Sequence, residues 1–223
     1  MEPFQLIHAT NHPASRMLTG PCRNKDIHGL RLQQAHRRVD YYLAQDLLPK
    51  ATGLEKYDIT TVGNKRSKAY RIRNEDKTVI VSCIRAGDPV AQRVFEALPS
   101  AVYIHAHEPE HLEKRKPKKA VVEAKTVLLC DFVVNNGTTM LEFIQCVWEK
   151  LNKTARIVMM AGVVHAKATR DDDSAGLTVG LEGYRDVSLV ALRQSENKYQ
   201  GQGKTDTGAR LFNTTKVEAA EKQ

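Results

Sequence analysis

One segment constrains this chain more than any other: VLLCDFVVNNGTTM, residues 127–140. A short apolar run ends on an acid, passes through a polar turn with one glycine, and leads into an amphipathic stretch. The pattern predicts a buried strand over residues 126–130 and a helix over residues 138–151. In open α/β sheets ligands bind beyond the carboxyl ends of the strands, which is where Asp131 falls. Backbone N–H groups at the helix start, with the hydroxyls of Thr138 and Thr139 and the amides of Asn135 and Asn136, make an anion cradle around Gly137. Asp131 itself repels phosphate. A carboxylate there suits sugar hydroxyls, or a metal hydrated beside a polyphosphate. The same letters also describe a plain turn with a helix cap. They do not make a Walker-type loop, because no Gly-Lys-Ser/Thr follows.

Strands and helices alternate through the rest of the chain. Residues 78–84 (TVIVSCI), 101–104, 126–130, 155–164 and 187–192 read as short apolar strands, with helices at 90–98 and 138–151. Such alternation implies an α/β fold with a mostly parallel sheet flanked by helices on both faces. Ahead of it, Leu32, Ala35, Val39, Tyr42, Leu43 and Leu47 recur at helical spacing within residues 30–48, and Pro49 is expected to end that helix. Residues 57–73 read as a β-hairpin turning at Gly63-Asn64. It is too polar to make a core alone, and so serves as an edge arm or a contact with a second subunit. Residues 1–29 contain Pro3, Pro13, Gly20 and Pro21 and are expected to be irregular. One domain over residues 30–214 follows, with a short charged tail at 215–223.

Composition narrows the function classes. The chain has 223 residues, 41% of them hydrophobic, enough for the core of one α/β domain. No apolar run approaches the roughly 18 residues of a membrane helix, and no basic segment leads into a long apolar one near the start. The expectation is a cytoplasmic protein with no membrane partner. Four cysteines show no CxxC pairing, and Cys83 and Cys130 fall in buried strands, where a reduced thiol acts as a small hydrophobe. A net charge of +8 invites a nucleic-acid reading. However, the basic residues lie apart, at Arg37-Arg38, Lys65-Arg66 and the run 114–119, without interleaved aromatics for stacking. Small polyanionic substrates fit such a surface better. Trp148 sits at an apolar helical position and is expected in the core. His105 and His107 are expected to face solvent rather than hold a metal.

Four stretches, in order, carry a resemblance. The loop already described resembles the phosphoribosyl-pyrophosphate loop of uracil phosphoribosyltransferases, in which an apolar strand ends on Asp before an Ala-Thr-Gly-Gly-Thr-type turn. Arg23-Asn24-Lys25-Asp26 with Arg31 resembles the family's N-terminal Arg-containing segment. Ile84-Arg85-Ala86-Gly87 resembles its Arg-Ala-Gly turn. Residues 193–214, with Glu196-Asn197-Lys198-Tyr199 and then Gly203, Asp206, Gly208, Arg210 and Phe212, resemble its base-binding hood. The resemblance implies the type I phosphoribosyltransferase fold with the hairpin arm and a C-terminal hood. It implies transfer of phosphoribosyl from phosphoribosyl pyrophosphate to uracil, giving UMP and pyrophosphate in pyrimidine salvage, with Mg²⁺ arriving on the substrate and a symmetric homodimer or larger assembly.

By the same resemblance Arg85, Asp131 and Asp206 are the catalytic residues. Ala86, Gly87, Asn135, Asn136, Gly137, Thr138 and Thr139 bind phosphoribosyl pyrophosphate, and Tyr199, Gly203 and Thr205 bind uracil. The run 114–119 falls where the family has a mobile lid over pyrophosphate; an ordinary solvated loop is the plain alternative. Departures concentrate in the site. Phe132 follows the aspartate in place of proline, Thr138 stands in place of a glycine, Ala106 in place of a pyrophosphate-binding arginine, Thr205 in place of a glycine and Ala209 in place of an acid. They leave open a catalytically impaired homologue that keeps the fold as a nucleotide- or protein-binding module.

Overall fold

The computed structural model describes residues 4–170, 176–201 and 205–214. The sheet is parallel in every pair, as the alternation of strands and helices implied. Its strands are β1 (Gln5–His8), β4 (Thr78–Cys83), β5 (Val102–Ala106), β6 (Thr126–Cys130), β7 (Val133–Val134), β8 (Arg156–His165) and β9 (Val187–Ser195). The order across it is β1-β9-β8-β6-β4-β5, with β7 also on β8. β6 and β7 keep one register against β8, with Thr126 opposite Arg156, Cys130 opposite Met160 and Val133 opposite Val163. Asp131 and Phe132 sit between them, still bonded to β8: Asp131 N–H donates to Met160 O and Val163 N–H to Phe132 O, both at 3.0 Å. The hairpin forms a separate antiparallel pair, β2 (Leu54–Thr60) with β3 (Arg66–Ile72), turning through a left-handed Asn64.

Alternate residues of each central strand enter two cores, which is why these strands read as continuous apolar runs rather than as alternating ones. Val79, Val81, Val127, Leu129, Ile157, Met159 and Leu189 face one way, against Met140, Phe143 and Ile144 of α6 (Thr138–Gln145) and Val121 of α5 (Arg115–Glu123). Ile80, Leu128, Cys130, Val158, Met160 and Val190 face the other way. There they meet Val39 of α2 (Gly29–Tyr42) and Val90 and Val94 of α4 (Asp88–Ala97). Cys83 and Cys130 are buried in these layers with free thiols. No described helix is long and apolar enough to cross a membrane.

Several expectations need correction. The segment expected to be irregular, residues 1–29, holds regular elements among its described residues: β1 pairs with β9, and Pro13–Arg23 forms helix α1. Pro13 stands at the first helical position, where its missing N–H is no loss, and Pro21 falls near the helix end. The 30–214 boundary therefore cuts through the sheet. Pro49 does not end the second helix. Residues Leu43–Leu47 form a π turn in which Leu48 N–H donates to Leu43 O, so the proline falls in the first turn of α3 (Leu48–Thr52). Gly53, at φ +74, stops it. The run 114–119 is not a loop, because most of it forms the start of α5. Trp148 is only half-buried and lies edge-on to Tyr184, away from the core centre.

One buried group is costly. Asp40 is wholly inaccessible and both its carboxyl oxygens lack a hydrogen-bond partner. Burial pushes its pKa well above the usual carboxylate range, opposed by Arg93. A carboxyl with a raised folded pKa binds its proton more tightly in the native state. Its penalty is therefore absent below the unfolded pKa and grows as pH rises towards the folded one. Asp40→Asn removes this titration. The wild type should lose thermal stability relative to Asp40→Asn between pH 5 and pH 8 in parallel unfolding scans. Curves that stay parallel across that range would show that Asp40 does not titrate as described.

Candidate active site

The carboxyl ends of the strands meet at one edge of the sheet, and the site grows from the turn after β4. Gly87 lies so close to the neighbouring strand ends that an added Cβ would stand 2.0 Å from the carbonyl oxygen of Cys130 and 2.6 Å from that of Cys83. Only glycine fits there, so the Arg85-Ala86-Gly87 turn is pressed against the start of the Asp131 segment. Arg85 Nη2 is consequently 3.7 Å from Asp206 Oδ2, in a half-exposed and therefore weak pair. Asp206 is itself fixed, since Oδ2 accepts from Ala209 N–H at 2.9 Å and caps α8 (Thr207–Phe212). Asp131 Oδ1 accepts from Phe132 N–H at 2.6 Å. Burial pushes Asp131 up to about 7; the amides of Phe132 and Val133 oppose this, and the Asp206 carboxylate adds to it. Arg85, Asp131 and Asp206 thus meet at one edge, with one carboxyl poised to ionise near neutrality.

The loop after β7 departs in part from an open cradle. Gly137 takes a left-handed φ of +82 with Leu177 packed where a side chain would begin. Asn136 Oδ1 accepts from Thr138 N–H at 3.3 Å, so one amide of the expected cradle is bonded within the loop. Asn135 does not point its amide at a ligand. Its side chain pairs with the backbone of Tyr199, donating to Tyr199 O and accepting from Tyr199 N–H, both at 3.0 Å. Thr138 and Thr139 remain exposed at the start of α6. A broad hollow of about 760 Å³ lies over this loop, walled by Asn136, Thr138, His165, Lys167 and Lys198. Sequence reading missed Lys167, which nothing local marks, and placed Lys198 with the hood rather than beside this loop.

Tyr199 is the hinge of the hood. Its hydroxyl donates to Thr205 O at 2.6 Å and accepts from Thr207 Oγ1 at 3.0 Å. Arg210 holds the other side, donating from Nη1 to Cys22 O at 3.3 Å and from Nη2 to Asn24 O and Ile27 O at 2.6 and 2.9 Å. The Arg23-Asn24-Lys25 segment is thereby joined to the hood rather than to the loop. Gly203 lies outside the described residues. Ala106 is fully buried at the end of β5. His105 Nδ1 faces Asp88 Oδ1, at 3.1 Å. Asp88 Oδ1 also accepts from the hydroxyls of Ser82 and Tyr103.

Beneath the hood, on the α1–α2 side, is a cavity of about 230 Å³. Phe132 forms one wall, stacked on His36 with ring centroids 3.6 Å apart. Gly162 makes room for that ring, since a Cβ there would come within 2.4 Å of it. Phe132 thus has a built seat in this chain, in a position the resemblance had marked only as a departure. Burial, with the Arg210 guanidinium adding to it, lowers the His36 pKa to about 3, so the ring is neutral. Val133, Tyr199 and Thr207 line the same cavity.

An all-parallel sheet with an acid, an Arg-Ala-Gly turn and a Gly-Thr-Thr helix start at its carboxyl edge defines an α/β protein suited to a phosphorylated sugar. The sequence matches the family model for uracil phosphoribosyltransferase over residues 9–214. The chain therefore belongs to the uracil phosphoribosyltransferase family, and its sheet is that of a type I phosphoribosyltransferase. No curated protein matches this sequence. Among solved structures, the AQ2163 protein from Aquifex aeolicus superposes with a TM-score of 0.63 at 18% identity, covering 93% of this chain and 98% of that one. The orotate phosphoribosyltransferase from Aeropyrum pernix overlaps more loosely, with TM-score 0.34 and 16% identity over 70% of this chain and 93% of its own. The orotate phosphoribosyltransferase from Mycobacterium tuberculosis behaves alike, with TM-score 0.32 and 14% identity over 69% and 95%.

The paired bonds of Asn135 make a clear prediction. Asn135→Ala should free the Tyr199 amide and raise its hydrogen-exchange rate by at least about tenfold, the size of one lost hydrogen bond. Unchanged protection of Tyr199 would mean that the hood is held elsewhere.

Proposed function

We propose that this protein transfers phosphoribosyl from phosphoribosyl pyrophosphate to a pyrimidine base, with uracil the first candidate, giving UMP and pyrophosphate. The single observation that carries the reading is the meeting of Arg85, Asp131 and Asp206 beside the Gly137 loop, in a chain of this family. In the reaction, the bond from C1 of the ribose to pyrophosphate breaks as a bond from C1 to a ring nitrogen forms. Pyrophosphate leaves with the electron pair and the ring nitrogen gives up its proton. Little covalent chemistry falls to the protein, so positioning and electrostatics dominate. Arg85, with the Ala86 and Gly87 backbone, grips the pyrophosphate, since a guanidinium holds phosphate oxygens bidentately. Gly137, Thr138 and Thr139 at the start of α6 hold the 5-phosphate, joined by Lys167. Asn136 orders the turn, and Asn135 positions the hood instead of touching phosphate. Asp131 accepts from the ribose hydroxyls. Tyr199 and Thr205 shape the base pocket, with Gly203 assigned there by family resemblance alone.

Magnesium fits this arrangement. Among the described residues no three acids, histidines or cysteines cluster for a protein-held metal. A magnesium that rides on substrate phosphates needs only one or two carboxylates, and Asp131 and Asp206 are the pair at hand. When bound, the ion would neutralise the departing pyrophosphate. A homodimer through the β2–β3 arm belongs to the same reading, because the arm leaves Tyr57, Val62 and Tyr70 exposed. Val62→Asp should then shift the sedimentation coefficient from dimer to monomer, and a wild type that sediments as a monomer would refute this part.

A second reading, binding without turnover, is favoured by one observation. Asn135 and the Thr138 amide are already bonded within the protein. Purified protein with Mg²⁺, uracil and phosphoribosyl pyrophosphate separates the two. UMP should appear, and Arg85→Ala should lower kcat/KM by roughly one to two orders of magnitude, the scale of one charge-assisted contact. Retained binding without product would favour the second reading. The Asp131 carboxyl, at about 7, adds a pH signature. Ionised, it accepts ribose hydroxyls more strongly than when protonated, so affinity for phosphoribosyl pyrophosphate should rise as pH passes through about 7. Asp131→Asn should flatten that rise; an identical profile in the variant would remove Asp131 from this role.

A further inference from the structure

The cavity beneath the hood is larger and more basic than a bare uracil ring requires. An engineered apolar cavity of about 150 Å³ suffices to hold one benzene ring, whereas this one is about 230 Å³. The surplus space has a consistent chemistry. Arg23, Arg193, Lys198 and Arg210 line the cavity, and no aspartate or glutamate does. Arg193 is half-buried, and burial lowers its pKa, with repulsion from the nearby Arg23 guanidinium adding to it. Among the described residues neither guanidinium has a hydrogen-bond or ion-pair partner. The half-buried Arg193 carries a desolvation cost that a bound anion would offset, and the exposed Arg23 stands beside it as a second cation. Two deeper groups also lack partners, His36 Nδ1 and Arg210 Nε, on side chains 1% and 5% exposed. The floor is flat and apolar, made by Phe132 stacked on His36, with Val39 and Leu192. An apolar floor, unpartnered polar atoms and two neighbouring cations together describe a ring that carries a negative charge.

We infer that the acceptor held under the hood is a pyrimidine bearing a carboxylate, its ring on Phe132 and its carboxylate on Arg193 and Arg23. This rests on the phosphoribosyl-transfer reading for its place in the reaction, though the ring-binding pocket stands on the cavity alone. Arg193 supplies the charge-assisted contact. Arg23, carried on the last turn of α1, completes it. His36 stays neutral and offers one ring nitrogen to the ring or its substituent. Phe132, a departure from the family pattern, becomes the platform that selects a flat ligand.

Calorimetric titration of the full chain with uracil, 5-carboxyuracil and 6-carboxyuracil, each with and without Mg²⁺ and phosphoribosyl pyrophosphate, tests the inference. At least one carboxylated ring should bind at least about tenfold more tightly than uracil, the scale of one charge-assisted contact. Arg193→Met should collapse that ratio to about one, and Arg193→Lys should retain part of it, provided both melt within a few degrees of wild type. Equal or weaker binding of both carboxylated rings overturns the inference, as does a preference that persists in Arg193→Met. Binding of no ring at all also overturns it. The phosphoribosyl-transfer reading is scored separately, by pyrophosphate release. Release with uracil and no carboxylate preference leaves that reading intact, whereas a carboxylate preference without release leaves only the pocket.

Discussion

The site depends on one close approach. The α-carbon of Gly87 sits against the carbonyl oxygens of Cys130 and Cys83, where any side chain would collide with backbone. That contact locks the turn after β4 to the start of the Asp131 segment. Because the sheet is parallel and buried on both faces, the two strand ends cannot shift to relieve it. Arg85 is thereby delivered to Asp206, and Asp206 to Asp131, from three distant parts of the sequence. The chemistry follows from packing rather than from any one motif.

A second layer of structure keeps that edge covered. Asn135 ties the Gly137 loop to Tyr199 by two hydrogen bonds, and Arg210 ties the hood by three to carbonyls in the last turn of α1 and just after it. Loop, hood and N-terminal segment are therefore joined by hydrogen bonds. The departures from the family pattern look different in this light. Asn135, where the family carries alanine, gains a tether. Phe132, where it carries proline, gains a seat against His36 and Gly162. These substitutions add contacts under the hood and leave Arg85 beside Asp206.

The sheet was legible because each central strand is buried on both faces and so reads as an unbroken apolar run, as in residues 126–130 and 156–165. The edges were not. β1 has only four residues, and Pro13 reads as a breaker although it opens a helix. Pro49 misled for a similar reason, because a π turn shifted the hydrogen-bond register before it. In the site, Arg85 and Asp131 were legible at strand ends and Asp206 from the hood resemblance, and the fold brings Arg85 to Asp206. The role of Asn135 was not legible, since its partner Tyr199 lies 64 residues away. His36 and Arg193 were equally hidden: one is an apolar-face helix position and the other a strand residue, and only the fold brings them to one cavity.

The most direct measurement is calorimetric titration of phosphoribosyl pyrophosphate, with Mg²⁺, onto the wild type and Gly87→Ala. The wild type should bind one molecule per chain with a requirement for Mg²⁺. Gly87→Ala, checked for a folded circular-dichroism spectrum, should lose at least about tenfold in affinity, because its Cβ must push the Arg85 turn away from Asp131 and Asp206. Full affinity in a folded Gly87→Ala, or no binding by the wild type, would contradict the account.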